Sequence, residues 1–188
     1  MNQERRDRLR DAAIEVLAES GSRGLTHRAV DAVAEVPQGT TKNYFPTREA
    51  LLRAVMERIV ELHAAIPRVP PDDRAGLAAL LRGLLEHVVG AGCVRVRALL
   101  ELQREAVRSP WLAVPLDTFA AADFAFLERA QRSAGLPVTP ERAAALVLAL
   151  HGALPHLVAA GPATRTAAGL DDLDRFVNGL LDAVYGSE

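Results

Sequence analysis

Gln38, Thr40, Thr41, Lys42 and Asn43 pack five hydrogen-bonding side chains into six positions, interrupted only by Gly39. They follow Pro37, which suits the first turn of a helix because its missing N–H costs nothing there, and they precede Tyr44-Phe45-Pro46, which closes the segment. A short helix of this composition has little to bury. Upstream, Thr26 is placed to cap a helix in which Ala29, Val30, Val33 and Ala34 share one face, and Glu35-Val36-Pro37 breaks that helix. Two short helices, a tight turn and outward polar residues suit the reading of DNA, where side chains meet base edges and helix N-termini meet phosphates.

The register of Thr26, Val30, Ala34, Val36, Gly39, Thr40, Tyr44, Phe45, Arg48, Glu49 and Leu51 resembles the DNA-binding domain of TetR-family transcriptional repressors, over residues 1–60. Asp31 and Val33 stand where that family commonly has Ala and Glu, Glu35 where Gly is common, Pro37 where Ser often caps, and Lys42 where an aromatic often stands. These departures bear more on operator sequence than on fold. The resemblance implies that the polar helix enters the major groove, so Gln38, Thr40, Thr41, Lys42 and Asn43 reach base edges or adjacent phosphates. Lys42 is the first candidate for a base contact, to guanine O6 or N7. Gly39 would let the backbone approach a phosphate and Tyr44 would offer it a hydroxyl, whereas Phe45 belongs to the core. Thr26 with Arg28, and Thr47 with Arg48, open the helices on either side and stand at further phosphate positions.

The remainder of the chain must explain why such a reader carries a second body. Four polar residues fall on apolar helix faces: His87 beside Leu84 and Val88, Gln103 beside Leu99 and Leu100, Asp123 beside Phe119 and Phe126, and His151 beside Val147 and Leu148. A buried polar group needs a partner, a water or a ligand, and a mostly apolar pocket with a few such groups is how small-molecule sites are built. Trp111 and Phe119 are the apolar walls of the same candidate effector site, and core packing is the plainer reading of each of the six. Catalysis is disfavoured. There is no HExxH, no glycine-rich phosphate loop and no GxSxG, nothing points to a cofactor, and His151 and His156 are spaced off one helix face for a metal.

The elements that carry these residues read as helices throughout, since no segment alternates strictly. Nine are expected. The first runs from Gln3 to Ser20 and stops at Gly21; the fourth, capped by Thr47, runs toward Pro67; RVPPDD (Arg68 to Asp73) is the linker. Helices follow over 74–89, 94–108 and from Pro115 to Ala134, then one opened by Thr139-Pro140-Glu141, kinked at Pro155, and a last one capped by Asp171. The expected architecture is all-α: residues 1–47 form a helix-turn-helix DNA-binding domain, helix 47–66 connects, and residues 48–188 form a ligand-binding and dimerisation domain. The eighth helix is apolar all round and so needs cover from a partner. With the last helix it would build a four-helix bundle across a two-fold axis, as the resemblance also implies.

Charge adds little: the chain carries a net −2, and residues 1–60 hold ten Lys or Arg against nine Asp or Glu. Arg5, Arg6, Arg8 and Arg10 form one basic cluster, equally readable as a solvated face; Arg28, Lys42 and Arg48 form another. Cys93 is alone, which fits a reducing cytoplasm, and the first ten residues lack an apolar leader. Ala143 to Gly161 is free of charged residues but rich in Ala and Gly, with His151, Pro155 and His156 inside it, and is rejected as a membrane span. The expected protein is a homodimeric, ligand-responsive repressor of a palindromic double-stranded operator, released by a small apolar or amphipathic effector. The alternative is a dimeric helical ligand-binding or protein-interaction module without specific DNA binding, kept open by Glu35 and the weak charge.

Overall fold

Most helices of this chain begin where a side-chain oxygen is available to take the first orphan N–H groups. The computed structural model describes residues 2–67 and 69–187, and every regular element within them is helical. Asn2 caps α1 (Gln3–Gly24), Thr26 caps α2 (His27–Val33), and Thr47 caps α4 (Arg48–Ala64); between the last two lies α3 (Thr40–Tyr44), whose cap position is Gly39. Asp73 caps α5 (Arg74–Val89), which α6 (Cys93–Ala106), a 3-10 turn over Pro110–Leu112 and α7 (Ala113–Ser133) follow. Thr139 caps α8 (Pro140–Ala159), and α9 (Pro162–Ala167) and α10 (Leu173–Tyr185) complete the chain. The all-α expectation holds, with ten helices among the described residues. The tenth is α9, a six-residue helix that Gly161-Pro162 announces and that is too short to leave a periodic pattern. Several boundaries move: the polar helix starts at Thr40 rather than Pro37, α10 is capped by Asp172 rather than Asp171, α6 ends at Ala106 rather than 108, and α7 starts at Ala113 rather than Pro115. Pro155 lies inside α8, which continues to Ala159. Of the expected linker, Arg68 lies outside the described residues.

The chain divides into two units. The first takes everything up to Ile66 and then Val94–Phe119; the second takes Pro67–Cys93 and the chain from Ala120 onward. The first unit holds all of α4 and takes in α6 from Val94 onward, the 3-10 turn and the start of α7. Its core is Leu9, Ala13, Val16 and Leu17 of α1, Val30 of α2, Phe45, Leu51, Leu52, Val55, Met56 and Ile59 along α4, and Ala98, Leu102 and Leu112 from the returning segment. Gly21 interrupts α1 at a positive φ with extended ψ (φ 65°, ψ −177°), a conformation that glycine adopts readily, and the helix resumes to Gly24. An ion network ties α1 to α4: Arg58 holds Asp11 at 2.7 and 2.9 Å, and Arg10, only 4% exposed, bonds Glu61 at 2.7 Å and also Asp7.

The second unit packs Leu77, Leu81 and Leu85 of α5 and Val177 and Leu181 of α10 against Leu146, Val147, Leu150, Ala153 and Leu157 of α8. Helix α8 has the length and composition of a membrane span, but its face from Leu146 to Leu157 forms this core. Deep inside, fully buried Gln131 donates to the Leu127 carbonyl at 3.0 Å and accepts the Tyr185 hydroxyl at 2.6 Å, so neither polar group is left unpaired.

Truncating Leu17, which is fully buried, to Ala should cost about 2–5 kcal/mol, whereas Val107→Ala, at a residue 86% exposed, should stay within about 0.5 kcal/mol. Urea unfolding of the two variants beside the parent checks both, and equal effects would contradict the assignment of the core.

Candidate nucleic-acid interface

Helix α3 has five residues, and what orients them is a neighbour's carboxylate. Asp31 on α2 is 3% exposed. Its Oδ2 accepts the Gly39 N–H at 2.7 Å, and its Oδ1 accepts the Thr41 N–H at 2.7 Å and the Thr41 hydroxyl at 2.5 Å. Burial pushes the Asp31 carboxyl up, but the hydrogen bonds from Thr41 and Gly39 together outweigh it and hold the group below the ordinary carboxylate range. The turn before α3 is equally defined. Glu35 has φ 50°, its N–H donates to the Ala32 carbonyl at 3.2 Å, and the Val36 N–H donates to the Asp31 carbonyl at 3.0 Å. That pair of bonds with a left-handed residue between them is a Schellman ending, and it explains why glycine is common at this position. Gly39 also has positive φ (92°), while a Cβ there would meet open space. Its requirement is conformational, not steric.

This arrangement sorts the expected contact residues. Gln38, Lys42 and Asn43 are exposed and Thr40 is half-buried, its hydroxyl donating to the Pro37 carbonyl at 2.6 Å. Thr41 departs from expectation: it is fully buried, its hydroxyl spent on Asp31, so it cannot reach a base edge. Val33 likewise is 43% exposed, and the inward face of α2 carries Asp31 with Val30 and Ala34 instead. Thr26 and Thr47 accept the Ala29 and Ala50 N–H groups at 3.1 and 3.0 Å, fixing two exposed helix N-termini beside α3, and Arg28 is exposed on the first of them. The His27 Nε2–H donates to the Phe45 carbonyl at 2.6 Å, so that ring closes the end of α3. Tyr44, Thr47, Arg6 and Arg53 line an open cleft of about 400 Å³, and the Arg6 guanidinium lies 4.9 Å from the Phe45 ring centre. Of the first basic cluster, Arg10 is spent in buried ion pairs and Arg8 meets Glu35 at 3.4 Å, an exposed pair worth little.

Arg48 is held rather than free. Its guanidinium donates to the Leu25 carbonyl at 2.9 Å, the Ser22 carbonyl at 2.5 Å and the Ser22 hydroxyl at 2.6 Å. The Ser22 hydroxyl in turn donates to Glu105 on α6, which also accepts from Ser109 at 3.1 Å. The Ser22 bond is the largest influence on Glu105, holding its carboxyl below the usual value against burial that raises it. This chain of contacts was invisible in the sequence, because its bonded partners lie up to 83 residues apart.

Residues 72–183 match the family of tetracyclin repressor-like C-terminal domains. The chain belongs to the TetR family of transcriptional regulators. Among solved structures, a TetR-family member from Streptomyces coelicolor A3 is 29% identical, with a TM-score of 0.70 over 97% of this chain and 98% of that one. The multidrug binding protein EbrR, complexed with ethidium, is 29% identical with a TM-score of 0.67 over 96% and 98% of the two chains. An uncharacterised HTH-type transcriptional regulator in the dhlA 5′ region of Xanthobacter autotrophicus is 34% identical over 87 residues, a match that spans only 43% of that relative and 43% of this chain.

Within this TetR-family chain the six candidate effector residues do not gather in one unit. Gln103, Trp111 and Phe119 belong to the first unit, and His87, Asp123 and His151 to the second. Gln103 is exposed, contrary to expectation, because the inward stripe of α6 is Ala98 and Leu102 and lies one position out of the expected phase. Trp111 carries the Arg53 guanidinium 4.8 Å from its ring, and Phe119 meets His63 edge-on at 4.9 Å. In the second unit, Asp123 and His151 come together at 2.8 Å, with the Phe124 ring edge-on to the imidazole at 5.4 Å. His87 is half-buried under Gly92, where a Cβ would stand 2.7 Å from its ring. Among the described residues no group of three or more His, Cys, Asp or Glu converges as a metal site.

Because the Glu105 carboxyl is depressed in the fold, the stability it contributes is complete above its unfolded value of about 4.3 and is lost as pH falls through the lower folded value. Glu105→Gln should therefore be less stable than the parent at pH 7, and the gap between their urea midpoints should close as the pH is taken down to about 3. A gap independent of pH would contradict the hydrogen-bonded carboxylate.

Proposed function

We propose that this chain is a ligand-responsive transcriptional repressor that binds a palindromic operator as a homodimer, one helix-turn-helix per half-site. The observation that carries the reading is the surface around α3. Gln38, Thr40, Lys42 and Asn43 offer base-reading groups, and the Thr26 and Thr47 helix N-termini with Arg28 and Tyr44 flank them as phosphate contacts. Lys42 is the leading candidate for a guanine contact, worth about 1–3 kcal/mol of discrimination. Thr41 acts from inside, and Arg48 by holding the end of α1 to the start of α4. Support for a dimer comes from α8, which turns Ala145, Leu148 (60% exposed) and Gly152 outward as an apolar stripe suited to close packing with a second copy.

The effector is a small apolar or amphipathic molecule, and the relative EbrR, a multidrug binding protein solved with ethidium, supports that class. Asp123 and His151 beside Phe124 are the polar groups it would meet in the second unit. Its message reaches DNA through the returning segment. Helix α6 sends Glu105 to Ser22, and Ser22 and Arg48 clamp the end of α1 to the start of α4, next to Thr47. A shift of α6 therefore changes how α4 and the reading helix are held. Two reading helices must lie a whole number of duplex turns apart, about 34–36 Å for one turn, so a small change in their spacing releases the operator.

Purified protein should select an inverted repeat from fragmented genomic DNA, and Lys42→Ala should lose or relax it. Selection of nothing above background at low and moderate salt would favour the interaction-module reading. For the switch, linkage requires the operator to weaken effector binding by the same factor as effector weakens operator binding. Titrating an effector with and without operator should show that equal loss; unchanged effector affinity would refute the switch while leaving DNA binding intact.

A further inference from the structure

Asp31 does two jobs at one turn. Its main-chain carbonyl accepts Val36 N–H and so ends α2, while its carboxylate takes the N–H groups of Gly39 and Thr41 and so begins α3. Helix α3 needs such help. At five residues it is far below the length that holds itself in water, and its cap residue, Gly39, has no side chain with which to cap it. A carboxylate at a helix N-terminus is also the favourable charge for that position.

We propose that Asp31 is the positioning residue of the recognition helix, and that its grip on Thr41 selects which side chains of α3 face the DNA. The inference rests on the reading of α3 as the DNA-contacting helix. Successive helical residues are turned by about 100°, so drawing Thr41 inward sends Thr40 and Lys42 to the two sides and Asn43 outward. Releasing Thr41 lets the five residues rotate, and the same sequence then presents a different set of donors and acceptors. Asp31 touches no DNA itself in this account. Its effect is on discrimination between sequences, which a residue that merely stabilised the core would not alter selectively.

Asp31→Asn keeps the volume but replaces the oxygen facing Gly39 or Thr41 with an N–H₂ that cannot accept. Three measurements decide the matter. Amide exchange in the DNA-free protein should show Gly39 and Thr41 both protected in the parent and one of the two unprotected in the variant, since Asn keeps a single acceptor oxygen. Affinity for the selected genomic site should fall about tenfold or more in the variant, while affinity for a scrambled duplex of equal length at the same salt changes less than about threefold. Thr41→Val, which keeps the shape and both N–H bonds, should move in the same direction by less, and the double variant should be no worse than Asp31→Asn alone. Unchanged exchange, an unchanged ratio of specific to scrambled affinity, or equal loss on both duplexes in step with a lowered thermal midpoint would overturn the proposal. A parent protein with no preference between the duplexes would overturn the DNA-reading function itself, and is recognised before any variant is made.

Discussion

A helix of five residues cannot keep its shape or its direction in water, because the cost of nucleating the first turn is not recovered over so few bonds. The first unit is organised around that constraint. The Asp31 carboxylate supplies the cap that Gly39 lacks, the His27 ring holds the Phe45 carbonyl at the far end, and Phe45 itself is buried beneath. Each is a contact from outside α3. The outward side chains are thereby left without a packing duty, which is the condition for a surface that reads something else.

The same logic extends outward from α3 to α4. Its start is fixed by the Thr47 cap and by Arg48 reaching back to Ser22 and Leu25, and its later turns are fixed to α1 by the pairing of Arg58 with Asp11 and of Arg10 with Glu61. Buried Arg10 is worth the cost of its desolvation only because two carboxylates meet it. The return of α6 into this unit then makes Glu105 part of the DNA-side scaffold, although it lies in the half of the chain that matches the C-terminal family domain. A domain boundary drawn on sequence order alone hides that.

Much of the fold was legible because its signals are local. Thr26, Thr47 and Thr139 cap the helices they were expected to cap, Gly21 interrupts α1, and the leucine phases of α5 and α10 are those of the core. What was not legible depends on partners distant in the chain. Asp31 looked like a departure bearing on the operator, and its burial makes sense only once Thr41, ten residues on, is seen to satisfy it. The apolar phase of α2 admitted either Val33 or Asp31 beside Val30 and Ala34, and apolar residue type favoured the wrong one. Gln103 failed for the same reason, a phase misjudged by one residue on a helix with apolar residues on several sides. The pairing of Asp123 with His151 was half legible: both stood out as polar on apolar faces, but nothing local said they would meet.

If the residues around α3 read the major groove as proposed, they do so in two symmetric half-sites. Methylation interference with dimethyl sulfate tests it directly, because the reagent marks guanine N7 in the major groove and adenine N3 in the minor groove. On the selected site, guanine N7 methylation should block binding at two symmetric clusters separated by one duplex turn or a multiple of it. Interference confined to adenine N3, or a single unpaired cluster, would contradict both the groove and the two-fold arrangement.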